Sequence, residues 1–239
     1  MSFETVTEVE HYTSRLFRFR TTRTNGVDFA AGQFCLISMP HGKFKRAYSY
    51  TNAPDDNFYE FYSIKVPSGP LTSELQKIKP GDNIWVGDRA NGTLILDNLV
   101  PGKTLWLLST GTGIAPFVSI LRDPKTFEQF ENVVVTHTVR EVKELEAYQS
   151  FVESTPAQLF TSVTQEEYPR KGRLQQFIEN GQLFADVGLP MWAPEADRIM
   201  LCGSEAFNRD FRAYFADLGF EEGTSKRQGT VLVEKAFVS

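Results

Sequence analysis

Cysteine is nearly absent from this chain, which has Cys35 and Cys202 and no others among 239 residues. Two thiols are too few for an iron–sulfur cluster or a four-thiolate zinc site, and they suggest no disulfide framework. Any redox chemistry must therefore come from an organic cofactor. Histidine is almost as scarce: His11, His41 and His137 show no ligand-like spacing, so no metal site is expected. No Ser-His-Asp order is recognisable either. Long apolar runs are also missing. Nothing approaches the ~20 apolar residues of a membrane span, and Met1-Ser2-Phe3-Glu4-Thr5 lacks the basic segment and apolar run of a secretory leader. The expectation is a cytoplasmic protein that enters no membrane. A formal net charge of -5 argues against nonspecific nucleic-acid binding. There is no internal repeat, low-complexity tract or heptad pattern.

What is present divides the chain in two. With 41% hydrophobic residues, 239 residues suffice for one large domain or two small ones. The first part alternates in strand fashion over Val6 to Val9, Leu16 to Arg20, Phe34 to Met39, Arg46 to Tyr50, Phe58 to Val66, Asn83 to Val86 and Thr93 to Leu96. Turn residues punctuate it at Asn25-Gly26, Ala31-Gly32, His41-Gly42, Pro54-Asp55-Asp56 and Pro80-Gly81-Asp82. This predicts an antiparallel β-barrel or sandwich, interrupted by a short helix from Ser73 to Ile78 capped by Thr72. Pro101-Gly102 reads as the linker.

The second part alternates strand and helix. Strands are expected at Leu105 to Leu108, Val133 to His137, Leu159 to Val163, Ile199 to Cys202 and Val231 to Ala236. Helices are expected from Pro116, from Lys143 to Glu153, around Leu174 to Phe184 and from Glu205 to Leu218. That order predicts an α/β domain with a parallel sheet, helices on both faces, and a ligand at the carboxyl ends of the strands. The domains expected are 1-98 and 103-239.

Two stretches point to chemistry. In Leu105 to Phe117, a short buried strand runs into Gly111-Thr112-Gly113 and then Pro116 inside a new apolar segment, a strand-to-helix turn where backbone can approach a ligand. Such a turn also occurs as plain punctuation in α/β domains. In Arg46-Ala47-Tyr48-Ser49, an arginine suited to phosphate, an aromatic suited to stacking and a hydroxyl suited to a ring nitrogen lie close together, which fits a flavin nucleotide. An exposed Arg and a packed Tyr on a strand explain the same residues. The first fifty residues carry seven basic side chains (Arg15, Arg18, Arg20, Arg23, Lys43, Lys45, Arg46) against four acidic ones, in an otherwise acidic protein. This is either a solvated strand face or a docking patch for an acidic partner.

Five segments then occur in order: Arg46-Ala47-Tyr48-Ser49, Gly69-Pro70-Leu71-Thr72-Ser73, Gly111-Thr112-Gly113-Ile114-Ala115-Pro116-Phe117, Cys202-Gly203-Ser204 and Val233-Glu234-Lys235-Ala236-Phe237-Val238. Together they resemble a bacterial ferredoxin (flavodoxin)-NADP reductase of the plant-type superfamily, across nearly the whole chain. The resemblance implies an FAD-binding β-barrel at 1-98, then an NADP-binding α/β domain at 103-239 with a C-terminal flavin-covering tail. It implies Arg46 on the FAD pyrophosphate, Ala47 and Tyr48 against the flavin, and Ser49 near the flavin N5. Tyr62, Ser63, Ile64 and Lys65 resemble the second flavin-lining segment, and Pro70-Leu71-Thr72 would present the short helix to the pyrophosphate. Thr112 would face the flavin ring, Cys202 would border the hydride-transfer site, and Glu234 would relay a proton or position a group. Ala236 and Phe237 would cover the flavin. Arg140 and Arg173 match positions that hold the 2′-phosphate of NADP. Where many relatives carry a third arginine, this chain has Gln165, and Arg170, Lys171, Lys226 or Arg227 could supply the charge.

The implied activity is FAD-mediated electron transfer: hydride from NADP(H), then single electrons to ferredoxin or flavodoxin, an acidic carrier steered by Lys43 and Lys45. A monomer is expected. Two other readings stay open. One is an NAD(P)H-flavin or oxygenase-coupled reductase; the other is a non-catalytic FAD-binding interaction module, which Gln165 favours.

Overall fold

The computed structural model describes residues 3–235. Contacts divide it into two compact units. One comprises the chain up to Gly92 together with Ala115–Asp123; the other comprises Thr93–Ile114 and everything from Pro124 onward.

The first unit holds strands β1 (Phe3–His11), β2 (Leu16–Thr22), β3 (Phe34–Ser38), β4 (Arg46–Ser49), β5 (Phe58–Ile64) and β6 (Asn83–Val86). All neighbouring pairs are antiparallel, in the order β4-β3-β6-β1-β2-β5. The two edges then meet. Tyr50 bridges to Phe61, and the Thr51 N–H donates to the Glu60 carbonyl at 3.0 Å, so the sheet closes on itself and leaves no long free edge. Alternation explains what lies inside. On β2, Phe17 and Phe19 are fully buried while Arg18 and Arg20 point to the other face. Phe17, Phe19, Tyr50, Tyr59 and Phe61 pack ring against ring with Ile37, Ile84 and Val86. Each such side chain contributes about 1.5–3 kcal/mol by leaving water.

Two expectations in this region fail. Thr93 to Leu96 is not a strand. Gly92 turns the chain at φ +106, the Thr93 carbonyl accepts from Asn98 Nδ2 at 2.8 Å, and a 3₁₀ turn forms over Leu96–Asn98; Leu94 and Leu96 are buried without joining a ladder. The short helix α1 is Thr72–Leu75, and Thr72 does not cap it. Leu71 takes the cap position without a side-chain bond, because the Thr72 hydroxyl donates to the Val66 carbonyl at 3.0 Å across the turn. Gly69 makes that closure possible: a Cβ there would stand 2.2 Å from the Thr72 oxygen.

The second unit is a parallel sheet of β7 (Thr104–Thr110), β8 (Asn132–Val139), β9 (Gln158–Val163), β10 (Asp197–Gly203) and β11 (Val231–Lys235), in the order β11-β10-β7-β8-β9. β7, β8 and β10 are buried along almost their whole length, as parallel strands covered on both faces must be. The chain winds from β7 toward β9, then crosses back to β10 and β11. The order therefore reverses between β7 and β10, the place where open α/β sheets leave a crevice at the strands' carboxyl ends.

The helices are α2 (Ile114–Arg122), which clusters with the first unit, α3 (Lys125–Gln129), α4 (Gln149–Glu153), α5 (Leu174–Glu179), α6 (Gln182–Val187) and α7 (Glu205–Asp217). Helix α3 is an addition to the expected pattern. The single helix expected over Lys143 to Glu153 is instead a 3₁₀ turn, Val142–Leu145, followed by α4. The Glu144 carboxylate turns back to accept the Arg140 N–H at 3.0 Å, which holds the turn apart from the helix. Phe207, Phe211 and Phe215 on α7 pack with Trp106 and Trp192 in the main core. Pro101-Gly102, read as a linker, is pinned within this unit: the Arg198 guanidinium donates to the carbonyls of Val100 (2.8 Å), Pro101 and Pro194 (2.7 Å).

Candidate functional site

In the first unit, β4 carries the arginine, tyrosine and serine singled out above. Arg46 is half-buried, and its guanidinium makes no ion pair with any described residue; one N–H donates to the Lys45 carbonyl at 3.0 Å. Ala47 is exposed, and Ser49 is half-buried with no hydrogen bond from its hydroxyl among the described residues. Tyr48 packs edge-on against Phe19 and Phe61, and its hydroxyl meets the Ser63 hydroxyl on β5 at 3.0 Å. Burial pushes the Tyr48 phenol up to about 12, so it stays neutral. The structure thus brings β4 and β5, the two segments expected to line a flavin, together through Tyr48 and Ser63. Tyr62, next along β5, is buried, with Tyr12 edge-on at 6.4 Å. Ile64 ends the strand, and the Lys65 ammonium turns away to the Thr13 carbonyl at 2.7 Å. An unpaired guanidinium and an unpartnered hydroxyl on one short strand fit an anionic, heterocyclic group.

In the second unit, the Gly111-Thr112-Gly113 turn follows β7 as a 3₁₀ turn that runs straight into α2. Gly111 has φ +54, and Gly113 lies so close to β10 that a Cβ would stand 2.0 Å from the Cys202 carbonyl oxygen. Thr112 is buried, and its hydroxyl has no hydrogen-bond partner among the described residues. A buried hydroxyl left unpaired at a helix start fits a ligand group that approaches this crevice.

Cys202 is buried on β10, opposite Glu234 on β11 in the parallel register. Burial, then the neighbouring Glu234 charge, raises the Cys202 thiol well above its ordinary value. Burial also raises Glu234, to about 8, so this half-buried carboxyl carries its proton at neutral pH. Ala236 and Phe237, expected to cover the flavin, lie outside the described residues.

Beyond the carboxyl ends of β8 and β9 lies a pocket of about 690 Å³ lined by Arg140, Thr164, Gln165, Lys171, Gly172, Arg173 and Gln176. Arg140 and Arg173 are thus brought together. The Gln165 N–H donates to the Arg140 carbonyl at 2.9 Å and the Arg173 N–H to Gln176 Oε1 at 2.9 Å, which fixes both backbones. Of the four other cations considered, only Lys171 lines the pocket. Arg170 is held by Asp186 at 2.8 Å and lies over Phe160, and Arg227 pairs with Glu221.

Two residues near these groups escape sequence reasoning. His137 makes a single buried contact with a backbone carbonyl, at Gly111, which leaves no trace in spacing. Asn208 donates to the Glu234 carbonyl at 2.7 Å and lies on the α7 face that carries Phe211 and Phe215. A polar residue on an apolar helix stripe is a signal that could have been read.

Among the described residues no group of three or more His, Cys, Asp or Glu side chains could hold a metal ion, and no helix is long and apolar enough to cross a membrane.

Residues 107–213 match the model of an oxidoreductase NAD-binding domain. The chain is 48% identical to ferredoxin--NADP reductase A of Sorangium cellulosum, over 98% of this chain and 89% of that one. It is 42% identical to the flavodoxin/ferredoxin--NADP reductase of Rhodobacter capsulatus, over 98% and 93%. Among solved structures, it superimposes with a TM-score of 0.92 on a ferredoxin NADP+ reductase from Neisseria gonorrhoeae with bound FAD and NADP, at 27% identity and over 99% and 98% of the two chains.

Proposed function

The chain belongs to the ferredoxin/flavodoxin–NADP reductase family, and from that premise we propose that it moves electrons between NADP(H) and ferredoxin or flavodoxin by way of FAD. The observation that carries this is the 48% identity extending over 98% of the chain, too long to reflect a shared nucleotide-binding unit alone. When bound, FAD supplies the change from two-electron hydride chemistry to one-electron traffic.

The chain's own residues do the rest. Arg46 holds the pyrophosphate through its free guanidinium, with the Pro70-Leu71-Thr72 turn beside the phosphates. Tyr48 gives the flavin a flat, neutral wall kept in place by Ser63, and Ala47, Tyr62, Ile64 and the main chain of Lys65 complete the lining. Ser49 offers its hydroxyl near the reacting nitrogen. Thr112, on its glycine turn, would offer its unpartnered hydroxyl to the bound coenzyme. Cys202 remains a thiol and Glu234 remains protonated at pH 7, so neither puts a charge beside the nicotinamide, and the Glu234 carboxyl can hand on a proton. Arg140 and Arg173 hold the 2′-phosphate, whose charge is about -1.5 to -2 at pH 7.

The carrier is an acidic ferredoxin or flavodoxin that approaches the cations Lys43 and Lys45. The proposal includes the cytoplasm as its compartment, in keeping with two buried free thiols, and a monomer as the working unit.

The test is anaerobic bleaching of the flavin absorption band by NADPH and by NADH, followed by turnover with ferredoxin, flavodoxin or free flavin as acceptor. Bleaching at far lower NADPH than NADH, with a protein carrier as the best acceptor, is the expected result. Faster turnover with free flavin would replace this reading with a flavin reductase, and a yellow protein that neither coenzyme bleaches would replace it with a binding module.

A further inference from the structure

The pocket beyond β8 and β9 is lined by three cations, Arg140, Lys171 and Arg173, and by no carboxylate. Gln165 on the same rim offers only an amide. A phosphate monoester approaches two negative charges at pH 7, so a third cation improves neutralisation in a way that an amide cannot.

Lys171 differs from the two arginines in one respect. Arg140 and Arg173 make no ion pair among the described residues, whereas the Lys171 ammonium is bonded to Glu167, four residues earlier. Glu167 does not line the pocket, and its side chain is 91% exposed against 47% for Lys171. A pair this open to water is weak, and a dianion competes well for the same ammonium.

Lys171 is also well placed to reach inward. Gly172 has φ +149, and a Cβ on it would stand 2.1 Å from Gln176 Oε1, so only glycine allows this narrow turn. The Gly172 N–H donates to the Val163 carbonyl at 2.9 Å, which ties the turn to the end of β9. Lys171 and Arg173 therefore leave the backbone on either side of an anchored glycine.

We infer that Lys171 is a specificity-determining residue for the coenzyme 2′-phosphate, and that Glu167 is its built-in counter-ion, displaced when the phosphate binds. This rests on the coenzyme reading above.

The test is isothermal titration of the FAD-loaded protein with adenosine 2′,5′-bisphosphate and with 5′-AMP. Lys171→Gln is expected to weaken the bisphosphate about tenfold while leaving 5′-AMP unchanged, which also verifies the fold. Glu167→Gln is expected to tighten the bisphosphate about two- to fivefold, and the gain should vanish in the double variant. If Lys171→Gln binds as wild type does while Arg140→Gln and Arg173→Gln lose affinity, the role of Lys171 is refuted and the coenzyme reading stands. An unchanged affinity in Glu167→Gln overturns the counter-ion. A wild type that binds the bisphosphate no better than 5′-AMP overturns the coenzyme reading and this inference with it.

Discussion

Nε2 of His137, on β8, lies 2.9 Å from the carbonyl oxygen of Gly111, the first residue of the glycine turn. A carbonyl only accepts, so Nε2 carries the proton. Burial, partly offset by this bond, lowers the imidazole pKa to about 4. The folded protein thus resists protonation that the unfolded chain accepts at its ordinary value near 6.5. Between about pH 6.5 and 4 the unfolded state binds the extra proton, so stability falls as pH falls, by on the order of 3 kcal/mol at the lower end. Chemical denaturation from pH 7 to pH 4 is expected to show this contribution as the difference between wild type and His137→Gln, since Glu234 acts with the opposite sign over part of the range. Identical pH profiles for the two proteins would contradict the assignment.

Glu60 is fully buried and accepts from four donors: Arg18 at 2.7 Å, Arg20 at 2.7 Å, Arg122 at 2.9 Å and the Thr51 hydroxyl at 2.8 Å. Burial alone would raise its pKa, but Arg122 and Arg18 outweigh it and hold the carboxyl below its ordinary range. Its stabilisation is present above the unfolded value and is lost as pH falls through the folded one. Glu60→Ala leaves three guanidinium groups without their shared acceptor, and a loss of about 3–5 kcal/mol is expected in urea unfolding. A loss below 1 kcal/mol would mean that water or Glu8 and Glu10 replace it.

Gly113→Ala would place a methyl 2.0 Å from the Cys202 carbonyl, an atom of the β10 backbone that has no room to yield. The expected cost is about 3 kcal/mol of stability, with a weakened NADPH response in whatever folds. Gly111→Ala meets no atom within 4 Å, and its cost comes only from φ +54. It should be about 1 kcal/mol. Thermal unfolding of the pair checks the order.

Glu234, raised to about 8, gives the opposite slope to His137. The folded state keeps a proton that the unfolded chain releases near its ordinary value, so this contribution is present at low pH and is lost as pH rises through about 8. Glu234→Gln should remove the fall in stability that this carboxyl contributes between about pH 4.5 and 8, and should slow proton-coupled turnover. An unchanged slope over that range would place the titration elsewhere.

Strands were legible because period-two alternation records one buried face, as in Leu16-Phe17-Arg18-Phe19-Arg20. Thr93 to Leu96 shows the same apolar spacing but has no neighbour to pair with, and pairing is not written in local sequence. The motif residues of β4 were legible as a cluster, but the Tyr48–Ser63 contact needed the closure of β4's continuation onto β5. Among the four candidate cations, sequence had no means to choose, because Arg170 is withdrawn by Asp186, sixteen positions away. His137 was unreadable for a plainer reason: its partner is main chain, which carries no residue signature.

Three of the seven basic side chains of the first fifty residues are engaged internally. Arg18 and Arg20 bind Glu8, Glu10 and Glu60, and Arg23 donates to the carbonyls of Val27, Pro54 and Asp56. What is exposed without an acidic partner among the described residues is Lys43 and Lys45, with Lys45 resting over the Trp85 ring at 3.9 Å, while Arg15 and Arg46 are half-buried. The molecule has therefore screened the charges of Arg18, Arg20 and Arg23, and an approaching acidic protein meets a small, fixed foothold at Lys43 and Lys45. Such a foothold sets the angle of arrival more than the speed of it.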